Sequence, residues 1–156
     1  DSVASRGLGD VYKRQVLSSP LLSIHVIVMM LSYTLFCFLF FNGITGLVLL
    51  RKGKPTEQLT QLSRLLLYPA LFLLTAGIFI GAVWANISWG RYWGWDPKET
   101  WALITMLVYA LPLHQGVLKA FRKERFLHAY LIVAFMTILM TYFGVNFILG
   151  GLHGYA

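Results

Sequence analysis

Residues 89–101 read "WGRYWGWDPKETW", which sets four of the chain's five tryptophans around one acidic turn between long apolar runs. About 20 predominantly apolar residues cross a bilayer as a helix. Working outward from the turn, four stretches meet or approach that length: residues 21–50, 65–84, 101–118 and 126–149. The first is long enough to tilt or overhang, and Gly43 and Gly46 are expected to loosen its last turns. Composition agrees, because 58% hydrophobic and 12% charged residues leave too little polar surface for a soluble globule. The expected fold is all-α, a polytopic transmembrane helical bundle with an outer-face tryptophan-rich loop.

The net charge of +7 is distributed between the apolar runs and not along one face, so nucleic acid is set aside as a partner and membrane lipid is expected. Arg51, Lys52, Lys54 and Arg64 fall in one connection, and Lys119, Arg122, Lys123 and Arg125 in another. The positive-inside rule turns both toward the cytoplasm, which puts the tryptophan loop and the C-terminal "GGLHGYA" outside. Residues 1–15 are polar and basic, resemble adapter-derived sequence, and are excluded from the reading. Residues 16–156 are expected to be one transmembrane domain, the C-terminal part of a longer protein. Cys37 stands alone, so there is no Cys-x-x-Cys pair and no thiol chemistry to assign.

Within the turn, "DPKE" reads as a capping box that opens the third span, with Asp96 as N-cap, Pro97 at the first helical position and Glu99 three residues on. An acid/base pair of Asp96 and Glu99 is the weaker alternative, and Lys98 reads as an interfacial charge. Single tryptophans commonly anchor at membrane interfaces. Here Trp89, Tyr92, Trp93, Trp95 and Trp101 are interleaved with Gly90 and Gly94, a density that favours a platform for a flat apolar molecule.

The histidines narrow the choice of molecule. His25 opens the first span and His153 follows the fourth, so on this topology both come to the outer side, level with the tryptophans. Two imidazoles flanking an aromatic platform suit bis-axial ligation of a planar metal macrocycle, whereas either alone would read as an interfacial residue. His114 lies in the third span near its inner end. Two readings of it stand, a second metal or haem contact and a side chain snorkelling to the interface. His128, beside the basic cluster "FRKERFLHAY", reads as an interfacial residue with no role in chemistry.

At these residues the chain resembles the cytochrome c assembly family of haem-handling proteins. "WANISWGRYWGWDPKETWALIT" is similar to its tryptophan-rich WWD signature and looks most like the System II (CcsA/ResC) branch. "SIHVIVMMLSY" and "TYFGVNFILGGLHGYA" resemble the segments bearing the two outer-face histidines, so the resemblance runs from about Pro20 onward. It implies that His25 and His153 ligate haem iron axially. It also implies that Trp89, Tyr92, Trp93, Trp95, Asp96 and Trp101 hold the macrocycle, and that His114 belongs to an intramembrane site on the path of haem b from the cytoplasm. Met106 stands where relatives often carry a further tryptophan.

The implied function is that of a cytochrome c synthase (haem lyase) component in a bacterial cytoplasmic membrane. It would present haem b for thioether attachment to a Cys-x-x-Cys-His apocytochrome c, together with a CcsB/ResB-like membrane subunit or fused domain and inactive without it. Two other classes predict different outcomes. A b-type electron-transfer subunit would bind haem without yielding a thioether product, and a membrane subunit using its tryptophans only as anchors would tolerate His25→Ala and His153→Ala.

Overall fold

Helix α1 (Pro20–Arg51) starts where Ser19 caps it, the Ser19 hydroxyl accepting from the Leu22 amide at 3.2 Å with Pro20 in the first turn. The computed structural model describes residues 19–149, with side chains through Gly144. Among these residues the chain is all-helical. α1 is followed by α2 (Glu57–Trp89), α3 (Pro97–Ala110), two 3-10 turns (Leu111–His114 and Lys119–Arg122), α4 (Glu124–Leu139) and a π-helical continuation (Met140–Leu149). Three described helices are long and apolar enough to cross a membrane, Pro20–Arg51, Glu57–Trp89 and Glu124–Gly144. The molecule is a multi-pass membrane protein.

α1 and α2 hold 32 and 33 residues, so each runs to about 50 Å and overhangs a hydrocarbon core of about 30 Å. α1 packs most extensively on α2 and then on α4, while α3 closes the bundle against α2, α4 and the π segment. Phe36 and Leu39 of α1, Leu67 and Leu74 of α2, Tyr109 of α3 and Leu131 of α4 are fully buried at the centre. The Phe36 and Tyr109 rings lie 3.9 Å apart. Phe38, Phe41, Leu65, Phe72, Phe79 and Val133 are exposed on the outside, the face that lipid covers.

Lipid supplies little drive for helix association, so small and polar residues make the seams. Ser32 of α1 donates to the Ala70 carbonyl of α2 at 2.8 Å, and the Asn42 amide donates to the Leu59 carbonyl and to the Ser63 hydroxyl at 2.7 and 2.6 Å. Gly43 and Gly46 do not loosen α1, which continues unbroken to Arg51. They are buried because α4 lies on them. A Cβ on Gly43 would sit 2.9 Å from the His128 carbonyl oxygen, and one on Gly46 would sit 2.6 Å from three atoms of the His128 ring.

The third apolar segment is α-helical only as Pro97–Ala110. Its 14 residues rise about 21 Å and the four of the first 3-10 turn about 8 Å more, which together match the bilayer core. The change of winding coincides with Pro112, which lacks an N–H for the Val108 carbonyl four residues earlier. Tyr130 of α4 supplies the missing donor, its hydroxyl reaching the Val108 oxygen at 2.8 Å. Beyond the turn, the Arg64 guanidinium donates to the Phe121 and Arg122 carbonyls and ties the second 3-10 turn to α2.

Candidate functional site

The loop joining α2 to α3 is built from three local devices. α2 ends at Gly90, whose φ of 72° is the left-handed conformation that glycine adopts without strain, and its amide closes on the Asn86 carbonyl at 2.8 Å. α3 opens with the capping box read from the sequence. The Asp96 carboxylate accepts from the Lys98 amide at 2.9 Å, and the Glu99 carboxylate accepts from the Asp96 amide at 3.2 Å. The same Glu99 oxygen also accepts from the Gly94 amide at 2.7 Å, so one carboxylate pins two backbone positions of the loop. Between them Trp95 has a φ of 55°, a conformation that costs a bulky residue on the order of 1–3 kcal/mol.

Asp96 is buried and its geometry is that of a cap. Asp96→Ala is expected to lower stability by about 1 kcal/mol, whereas Asp96→Asn keeps an accepting oxygen and stays near wild type. Thermal unfolding in detergent measures both, and equal losses would mean that the charge matters and the cap does not.

Beneath the loop lies a cavity of about 180 Å³ with mostly apolar walls. α1 contributes His25, Met29 and Tyr33, α2 contributes Gly81 and Trp84, the loop Tyr92 and Trp93, α3 Lys98 and Glu99, and the π segment Thr141 and Tyr142. Val26, Met30, Tyr92 and Tyr142, which also line it, are exposed. The Nδ1–H of His25 donates to the Gly77 carbonyl of α2 at 2.8 Å, which makes Nε2 the lone-pair nitrogen of the neutral ring.

The structure therefore brings three of the sequence-identified residues, His25, Tyr92 and Trp93, into one cavity wall. Trp95 meets Trp93 edge-on at 5.8 Å but is 70% exposed, and Trp89 meets Trp84 edge-on at 4.9 Å. Trp89, Trp95, Asp96 and Trp101 do not line the cavity. His153 lies outside the described residues. His114 is at the opposite end of the bundle, exposed in the first 3-10 turn, its Nδ1–H donating to the Ala110 carbonyl at 2.9 Å. The helix ends at Ala110, about two turns before the end of the apolar run at residue 118, and His114 lies beyond it.

Two residues carry more than the sequence reading allowed. Trp84 is buried and lines the cavity, and its spacing from Gly77 and Gly81, four and then three residues, already marks one helix face. Lys98, read as an interfacial charge, is a wall residue. His128 requires a correction, since it is fully buried among α1, α2 and α4 and not an exposed residue beside the basic cluster. Its Nε2 pairs with the Thr60 hydroxyl at 3.1 Å, its Nδ1 has no partner among the described residues, and one turn away the Thr56 hydroxyl donates to Glu124.

The fold and site define a helical membrane protein with an aromatic cavity at one end of its bundle and a hydrogen-bonded histidine in the cavity wall. The chain belongs to the cytochrome c assembly protein family, whose model matches residues 9–153. It is 45% identical to Protein NrfI of Wolinella succinogenes over 149 residues, 90% of this chain and 16% of that protein. It is 41% identical over 149 residues to the cytochrome c biogenesis protein CcsA of Chlamydomonas reinhardtii, 89% of this chain and 41% of that protein. The CcsA of Guillardia theta is 56% identical over 84 residues, 53% of this chain and 27% of that protein. The chain thus spans less than half the length of these relatives.

Proposed function

We propose that this chain is the haem-presenting part of a System II cytochrome c synthase, with haem b as its cargo and an apocytochrome c as the acceptor. The observation that carries the reading is His25, held in the wall of the aromatic cavity with its Nδ1 proton committed to the Gly77 carbonyl. Imidazoles that ligate a metal commonly donate their second nitrogen in this way. The wall residues fit the macrocycle: Trp84, Trp93 and Tyr92 supply flat apolar surface, and Lys98 supplies a cation for its carboxylates. His153 is the proposed second axial ligand and His114 part of an inner site on the path of haem. Trp89, Trp95, Asp96 and Trp101 act by shaping the loop.

In this reading the bound group supplies the electrophilic vinyl carbons, and each cysteine thiol of a Cys-x-x-Cys-His segment adds across one vinyl double bond. A carbon–sulfur bond forms at one carbon and the proton ends on the other, with no net redox change. The protein supplies binding, orientation and exclusion of water. The proposed location is the bacterial cytoplasmic membrane with the tryptophan loop outward, alongside a CcsB/ResB-like subunit or domain.

The test is the absorption spectrum of the native-length protein in detergent, wild type beside His25→Ala and His153→Ala. A low-spin bis-histidine spectrum in the wild type, lost or turned high-spin in either variant, is expected. Co-expressed apocytochrome should then carry thioether-linked haem only with the wild type. A haem-free wild type overturns the reading, and bound haem without thioether product favours the electron-transfer alternative.

A further inference from the structure

The His25 ring does not reach the Gly77 carbonyl by chance of rotamer. In a helix the carbonyl of one residue lies beside the Cβ of the residue four positions on, which ordinarily shields it from a neighbouring helix. Here that residue is Gly81. A Cβ on Gly81 would come within 2.6 Å of His25 Cε1 and 2.8 Å of Nδ1, so the ring occupies the space that any other residue would fill. The carbonyl oxygen has two lone pairs, one for the helix and one for the ring. A turn away, a Cβ on Gly77 would meet Met29 Sδ at 2.5 Å, so α1 lies against α2 along both glycines.

We propose that Gly77 and Gly81 are positioning residues for His25, Gly81 opening the face of α2 and the Gly77 carbonyl holding the Nδ1 proton, so that Nε2 is the nitrogen offered to haem iron. This rests on His25 being an axial ligand. Two consequences follow. The ring is set in one tautomer and orientation before haem arrives, and the hydrogen bond raises the basicity of the coordinating nitrogen.

The experiment has two arms on the native-length protein. Histidine-selective ¹⁵N NMR of the haem-free wild type, with the His25 resonance identified by its loss in His25→Gln, should show the Nδ1–H tautomer; the Nε2–H tautomer would overturn the proposal whether or not Gly81→Ala folds. In the second arm, Gly81→Ala should weaken haem binding about 10- to 100-fold, the usual effect of losing a partner of a metal ligand, and raise the reduction potential of the haem that remains. Phe72→Ala, on the exposed outer face of α2 and away from the cavity wall, should retain the low-spin spectrum. Wild-type affinity and potential in Gly81→Ala, with His25→Ala defective, would overturn the positioning role and leave the ligand reading intact. A low-spin spectrum surviving in His25→Ala would overturn the ligand reading itself.

Discussion

Gly46→Leu is expected to leave little folded protein in the membrane fraction, and Gly46→Ala to lower stability by about 1–3 kcal/mol. The cause lies on another helix. The His128 ring covers Gly46 so closely that a single added carbon would stand 2.6 Å from three of its atoms, and the ring is fully buried. A second element of the same contact is backbone, the His128 carbonyl 2.9 Å from where a Gly43 Cβ would be, so α4 has little freedom to retreat. If this steric account is right, His128→Ala makes room for the new methyl, and the double variant Gly46→Ala/His128→Ala is more stable than the sum of the two single losses. A double-mutant cycle of unfolding midpoints in detergent measures the coupling. Strict additivity would show that Gly46 is needed for something other than the ring.

Glu99→Ala is expected to disable the tryptophan loop while leaving the bundle folded. Its carboxylate accepts from the Gly94 and Asp96 amides, and these bonds hold the segment containing Trp95 in its left-handed turn. Hydrogen bonds to a charged group contribute about 1.5–3 kcal/mol each. Losing both amounts to about 3 kcal/mol or more against the ordered loop, on the order of a hundredfold in its population. On the proposed function, attachment of haem to a co-expressed apocytochrome should fall by a comparable factor. Glu99→Gln keeps an acceptor oxygen without the charge and should lie between. Amide hydrogen exchange over residues 90–96 provides a readout independent of haem, and unchanged protection in Glu99→Ala would sink the account.

The parts of the fold legible in the sequence were those whose cause is local. Length and hydropathy located the apolar segments, and Asp96, Pro97 and Glu99 announced the start of α3 because a capping box is complete within four residues. His25 and Trp93 were recognisable as companions because helix topology alone brings both to one end of the bundle. His128 was misread for the opposite reason. Its neighbours in sequence are Arg122, Lys123 and Arg125, but its neighbours in space are Gly43, Gly46 and Thr60, which belong to other helices. The break at Pro112 was not read from the sequence, whose third apolar run reads as one segment to residue 118, and nothing nearby showed that Tyr130 would take the stranded Val108 carbonyl. The extra reach of Glu99 to Gly94 depends on the path of the loop, which composition does not encode.

The two histidine–glycine contacts give α1 an opposite part in each. Near its start α1 carries the ring and α2 offers the bare backbone; near its end α1 offers the bare backbone and α4 carries the ring. His25 and Gly46 are 21 residues apart, about 32 Å along the helix axis and close to the thickness of a bilayer core. α1 is thus indexed like a ruler with a notch at each end. A slide of this helix that lifted His25 off Gly81 would also drag Gly46 across the face of His128, so the position of the His25 imidazole is gauged from the opposite end of the bundle.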